Sequence, residues 1–204
     1  MAIQQSLFEE AVVAVRIDDY EGIRGLTYFS EILDPSIQTM VMDKIDASPW
    51  RDDLKRRVQH YGYRYDYKSR NVDRSMQIGE LPEFAIEIAH RMIDLDLIAE
   101  VPDQMIVNEY EPGQGISAHV DCEPCFKDSI VTISLGSVYE MDFISVETGE
   151  VRSILLELGS AVIMTGESRY RWMHRIKARK SDRGVLRGRR VSLTFRNVIL
   201  MDRE

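Results

Sequence analysis

Cysteine is scarce in these 204 residues: Cys122 and Cys125 are the only two. Two cysteines three positions apart cannot build a disulfide framework, so the fold must rest on a hydrophobic core. The same scarcity is the basis for expecting a reducing, cytoplasmic compartment. Long apolar runs are also missing. Stretches such as 105–107 and 160–164 fall far short of the roughly 20 residues that span a bilayer, and no membrane partner is expected. The opening MAIQQSLFEE has early acids and no apolar stretch of the secretory kind. There is no internal repeat, no low-complexity tract and no linker rich in Pro, Gly or Ser, which argues against a repeat array or beads on a string. What remains is ordinary globular composition, 44% hydrophobic and 29% charged, at a length suited to one compact domain. We expect it to act as a monomer.

The net charge of −8 argues at first against a polyanionic partner. Its distribution argues otherwise. Residues 50–74 hold eight Lys or Arg against four Asp or Glu, and residues 169–190 hold ten against one. Local basic patches, rather than totals, touch phosphates. Solvated faces, or charges offset by acidic neighbours in the fold, explain such windows as readily.

The first 35 residues mix short β-like runs at 12–17 and 26–29 with Asp34-Pro35, a helix entry. Ile37, Met40, Val41 and Ile45 recur at three- and four-residue steps and predict a helix over 36–47, ended by Pro49. A second helix is predicted from Leu81-Pro82, proline sitting in its first turn, with Phe84, Ile88, Met92 and Leu95 as its apolar stripe. After Pro102 the texture changes. Runs rich in Val, Ile, Leu and Tyr at 104–110, 129–135, 139–145, 151–157, 161–165 and 190–200 alternate with turn signals. Such spacing predicts a sandwich or barrel. The organisation expected is an N-terminal, helix-bearing part over 1–100 covering a β-rich core over 101–204.

Histidine is the other scarce residue, at His60, His90, His119 and His174 only. In His119-Val120-Asp121 an extended backbone puts residues i and i+2 on one side. His119 and Asp121 then converge on one ion while Val120 faces away, and a double-layered sheet would bring His174 beside them. Two His and one carboxylate leave three positions open, the arrangement of non-haem Fe(II) oxygenases. H-x-D alone is a weak signal, and a later lone His is more often structural.

The last strand raises the odds. By the period of two, Arg190, Ser192, Thr194 and Arg196 share one face, and Val191, Leu193 and Phe195 share the other. Two arginines on a core-like strand are costly if buried alone. They make sense as grips on the two ends of a dicarboxylate. An edge strand with a solvated outer face is the alternative.

Taken in order, Asn108-Glu109-Tyr110-Glu111-Pro112-Gly113, His119-Val120-Asp121, Ser134-Leu135-Gly136-Ser137, Gly166-Glu167-Ser168-Arg169 with His174, and Arg190 to Arg196 resemble the AlkB family of Fe(II)- and 2-oxoglutarate-dependent dioxygenases. The resemblance covers roughly residues 100 to 200, and is nearest the branch that hydroxylates the wobble uridine of tRNA. It implies an α+β fold, a jelly-roll (double-stranded β-helix) core with N-terminal helices and a nucleotide-recognition lid. It implies Fe(2+) on His119, Asp121 and His174. It further implies that Arg190 and Tyr110 hold the distal carboxylate of 2-oxoglutarate, and that Arg196 and Asn108 hold the end near iron. Ser192 stands where the best-known bacterial member has Asn. Glu123 takes the place of an acidic residue that helps select the base.

The activity so implied uses 2-oxoglutarate and O2 to oxidise a nucleobase of DNA or RNA, tRNA included. The outcome is N-demethylation of an alkylated base, as in DNA repair, or stable hydroxylation of a modified one. Substrate choice would fall to His60-Tyr61-Gly62-Tyr63-Arg64-Tyr65-Asp66-Tyr67. On a strand its four tyrosines share a face fit to stack a base, with Tyr63 and Tyr65 as candidate contacts. A hairpin packing them on the core fits the pattern equally well. A protein side chain or small molecule is the alternative substrate. Zinc and deaminase readings of Cys122 and Cys125 fail, because one C-x2-C supplies two of four ligands and the deaminase motif needs Glu after H-x.

Overall fold

In the computed structural model, residues 14–52, 55–67 and 69–200 are described. Valines 12 and 13 of the first predicted run and the opening MAIQQSLFEE lie outside them. Helix α1, Pro35–Asp46, starts where the side chain of Asp34 accepts from the backbone N–H groups of Ser36 and Ile37. It buries Val41 and Ile45. Helix α2, Glu83–Asp94, has Pro82 at its N-cap, one step before the first turn. It buries Phe84, Ile88 and Met92 as predicted, with Ala85 and Ala89 between them.

The strands are β1 Arg16–Ile17, β2 Leu26–Phe29, β3 Val58–Tyr61, β4 Gln104–Tyr110, β5 Ile116–His119, β6 Phe126–Leu135, β7 Tyr139–Ser145, β8 Val151–Leu156, β9 Ala161–Met164, β10 Trp172–Ile176, β11 Ser181–Asp182, β12 Val185–Leu186 and β13 Arg190–Val198, with a short helix α3, Gly166–Tyr170, after β9. A seven-stranded sheet runs β1-β2-β9-β6-β13-β4-β3, and a four-stranded sheet runs β5-β10-β7-β8. Every strand pairing is antiparallel. Together they form the double-stranded β-helix core. Strands from the first hundred residues extend the major sheet at both edges. The apolar runs after Pro102 all become strands. The unpredicted β5 and β10 belong to the minor sheet, and their sequences, Ile-Ser-Ala-His and Trp-Met-His-Arg-Ile, are short and broken by polar residues, so no apolar run marks them.

Two apolar clusters divide the interior. One joins α1 and α2 to the outer face of the major sheet through Val131, Ile133, Leu135, Val191, Leu193 and Phe195. The other fills the space between the sheets, with Phe126, Ile130, Tyr139, Met141, Phe143 and Trp172. Alternation along β13 therefore sends one set of side chains toward the helices and the other toward the space between the sheets. Among the described residues, no helix is long and apolar enough to cross a membrane.

The outer cluster generates a contrast in stability. Phe195, 1% exposed, should cost about 3–5 kcal/mol on truncation to Ala. Leu186, 80% exposed, should stay within about 0.5 kcal/mol when so changed. Urea unfolding midpoints check this, and equal losses would contradict the assignment of the core.

Candidate active site

Strands β5 and β10 lie side by side with His119 directly opposite His174. Asp121 follows two residues past the end of β5. The ligand atoms of His119, Asp121 and His174 all lie within 4.8 Å of one another, and His119 Nε2 is 4.0 Å from Asp121 Oδ1. Val120 does not turn away as predicted. It also lines the cavity, because the strand has ended and the strict alternation with it.

Local chemistry prepares these groups for a cation. The Nδ1–H of His119 donates to the Ser117 carbonyl at 2.8 Å, which orients the ring with Nε2 toward the cluster. Burial, reinforced by neighbouring His119, pushes His174 down to about 3, so its imidazole is neutral. Burial alone would raise the Asp121 carboxyl. Arg196, the two imidazoles and Arg169 outweigh it and hold the group ionised, well below the usual carboxylate range. Asp121 Oδ2 is buried with no hydrogen-bond partner. A neutral His174 imidazole, the Nε2 of His119 and an orphaned carboxylate oxygen fit a divalent metal.

Beside the cluster a cavity of about 580 Å³ opens between the sheets, within the range of small-molecule sites. Arg190, Ser192, Thr194 and Arg196 of β13 all line it. Ser192 lies opposite Asn108, and Arg190 opposite Tyr110, on neighbouring β4, so Asn108 and Tyr110 join the same wall. Arg190 is 1% exposed. It donates to Ser134 Oγ at 2.8 Å, and its guanidinium lies 5.4 Å from the Tyr110 ring centre and 5.9 Å from that of Tyr139. Burial pushes it down to about 10, which still leaves it charged at neutral pH. Its Nε has no partner, nor does that of Arg196. Arg196 Nη2 reaches Asp121 Oδ1 at 3.0 Å. A buried cation without a carboxylate is expensive, and an anionic ligand in this cavity would offset that cost.

The tyrosine segment corrects the predicted single face. β3 ends at Tyr61, and Gly62 then turns the chain at φ 75, where a Cβ would collide with the Asp103 carbonyl. Tyr61 packs on the outer cluster, and Tyr63 packs against the inner one without lining the cavity. Tyr65 and Tyr67 do line it, edge to face with ring centres 4.9 Å apart. Tyr65 also leans on Phe126 at 5.6 Å. Glu123 is exposed and outside the cavity wall. It sits in the loop closed by a disulfide between Cys122 and Cys125, a single local link.

The basic windows separate on folding. In the second, Arg175 and Lys177 pair with Asp142, Arg179 and Arg183 with Glu140, Arg187 with Asp182, and Arg189 with Asp46 and Glu109. Fold-borne acids neutralise most of it. From the first window, Lys55, Arg56 and Arg70 line the cavity, and Arg56 Nε donates to Asn108 Oδ1 at 2.9 Å. Arg56, Tyr139, Ser134 and Arg169 are site residues that the sequence does not single out. Ser134 and Arg169 lie in recognised motifs, while no pattern in the sequence aims Arg56 or Tyr139 inward.

Comparison with known proteins agrees with this geometry. The family described as the 2OG-Fe(II) oxygenase superfamily matches residues 26–196. A Xenopus tropicalis protein named tRNA (carboxymethyluridine(34)-5-O)-methyltransferase alkbh8 is 37% identical over 180 residues, covering 86% of this chain and 28% of its own length. This chain thus spans less than a third of that relative. The alpha-ketoglutarate-dependent dioxygenase AlkB of Salmonella typhimurium is 29% identical over 185 residues, covering 88% and 82%. The fold matches the structure of OsALKBH1 with a TM-score of 0.67 at 21% identity, over 85% of this chain and 96% of that one. The chain belongs to the AlkB family of Fe(II)- and 2-oxoglutarate-dependent oxygenases, with His119, Asp121 and His174 as its metal triad.

Proposed function

We propose that this oxygenase hydroxylates an uncharged, modified base of a tRNA. One observation carries the reading: the cavity beside the triad is lined by Tyr65, Tyr67, Lys55, Arg56 and Arg70, and Asp121 is its only carboxylate among the described residues. The two rings suit stacking of an unpaired base, and the cations suit backbone phosphates. A cationic N-alkylated base, the kind that demethylation repairs, would be desolvated among like charges with no free carboxylate to balance it. Exposed Glu123 does not supply one. The name of the Xenopus relative points the same way, toward a tRNA uridine.

Within the wall, Arg190, Ser134 and Tyr110 would hold the far carboxylate of 2-oxoglutarate, and Arg196 with Asn108 the end near the metal. Ser192 and Thr194 lie between them on the same strand face. Fe(II), once bound with 2-oxoglutarate and O2, would supply hydroxylation of a C–H bond, one oxygen atom of O2 entering the base and the other the succinate released with carbon dioxide. The chain's own work is to orient that bond and to keep water out of the cavity.

Changing His119, Asp121 or His174 to Ala should abolish succinate formation with Fe(II) supplied; turnover retained in a folded variant would refute the triad. Arg190→Met should raise the KM for 2-oxoglutarate on the order of a hundredfold, since losing one partner of a buried charge pair costs about 3 kcal/mol or more. An unchanged KM would remove Arg190 from the cosubstrate. Mass spectrometry of tRNA nucleosides after incubation with Fe(II), ascorbate and 2-oxoglutarate should show a gain of one oxygen on a modified uridine. Tyr65→Ala should weaken RNA binding by about 1–3 kcal/mol, as loss of a stacking partner does. Release of formaldehyde from methylated oligonucleotides, with tRNA untouched, would favour demethylation instead. No RNA or DNA binding at low salt would shift the substrate to a protein side chain.

A further inference from the structure

Arg169 is one of the largest fully buried side chains, 2% exposed, yet no ion-pair partner lies beside it among the described residues. Its guanidinium is spent on backbone instead. Nη1 donates to the carbonyl of Asp121 at 3.0 Å and Nη2 to the carbonyl of Cys122 at 3.2 Å. The fork thus grips both carbonyls of the stretch that carries the carboxylate ligand. Arginine's planar geometry suits two such bonds, and a lysine cannot make them in a fixed plane.

The base of Arg169 is equally fixed. It lies in α3, where Ser168 Oγ accepts from the Thr165 N–H at 3.1 Å and donates to the Gly25 carbonyl at 2.8 Å. The Ser168 N–H donates to the Arg24 carbonyl at 3.0 Å. Gly25 is held so close that a Cβ there would strike the Thr165 carbonyl. The chain then runs from α3 straight into β10, which carries His174. One short, pinned segment therefore sets the position of His174 through its own backbone and that of Asp121 through the Arg169 side chain.

We infer that Arg169 is a positioning residue for iron binding: it locks the Asp121 backbone at a set distance from His174, so that the carboxylate and imidazole converge before the metal arrives. Burying a guanidinium costs free energy, and the return is a carboxylate ligand already aimed. The inference rests on the metal triad and is independent of the base or polymer oxidised.

The test uses the full-length protein under anaerobic conditions with Fe(II) alone and with Fe(II) plus 2-oxoglutarate. Binding of Fe(II) alone is read by anaerobic titration calorimetry, binding with 2-oxoglutarate from the visible charge-transfer band of the ternary complex, and fold integrity from circular dichroism and Tm. Arg169→Ala should weaken Fe(II) binding by about 10- to 100-fold, the usual effect of losing a group that orients a ligand, with the KM for 2-oxoglutarate near wild type once iron saturates. Millimolar guanidinium, too dilute to denature, should enter the vacated site and restore most of the affinity, while sodium or ethylammonium at equal concentration should not. Should Arg169→Ala fail to fold, Arg169→Lys serves, with a shifted charge-transfer band and weakened Fe(II) binding as the expected result. Fe(II) affinity within about twofold of wild type in either folded variant, against the 10- to 100-fold loss expected of an orienting group, would overturn the inference. So would a loss that guanidinium does not reverse in folded Arg169→Ala. Loss of tRNA oxidation with intact iron binding would leave Arg169 out and point to the substrate side.

Discussion

Uncompensated positive charge in the interior constrains everything around this site. Arg169 and Arg196 both reach Asp121, Arg190 is buried six residues from Arg196 along β13, and Asp121 is the only carboxylate in the cavity wall among the described residues. Charges in such surroundings are tolerated when hydrogen bonds, aromatic faces or an incoming ion offset the lost hydration. Each arginine uses a different remedy. Arg169 spends its donors on two carbonyls, Arg190 lies between Tyr110 and Tyr139, and Arg196 pairs with Asp121. None is fully satisfied, since Nε is orphaned in all three. The protein is folded around places that anions complete.

The two sheets divide the labour. The major sheet carries the arginine-lined wall on β13 and β4, and the minor sheet carries both histidines on β10 and β5. The cavity is the gap between them, so the distance from wall to metal is a sheet-to-sheet distance, set by the inner apolar cluster. Trp172 on the histidine strand itself and Phe143, opposite His174 on β7, belong to that cluster. Apolar packing behind the histidines thereby helps fix where a cosubstrate can meet a metal.

Much of this was legible before any coordinates. Period-two alternation along β13 assigned every side chain from Arg190 to Arg196 to its correct face, because a central strand buried on both sides obeys the pleat closely. His119 and His174 were found by scarcity and spacing. The illegible parts depend on non-local geometry. The tyrosines of 61–67 alternate perfectly in sequence, but Gly62 reverses the chain among them, so the pattern predicted a face that does not exist. The basic window at 169–190 looked like a phosphate surface, yet Asp142, Glu140 and Asp182, distant or masked by their neighbours in the sequence, absorb most of it. Charge runs reveal where cations are, not what stands opposite them.

β13 has neighbours on both edges and chemistry on both faces. A single-residue insertion or deletion inside it would rotate Val191, Leu193 and Phe195 into the cavity and drive two guanidinium groups against α1 and α2. Core and catalytic wall would be lost in one event. Length variation during divergence is therefore confined to the connections around this strand. New substrates must be reached by remodelling connections such as 69–74, which lie outside the named strands.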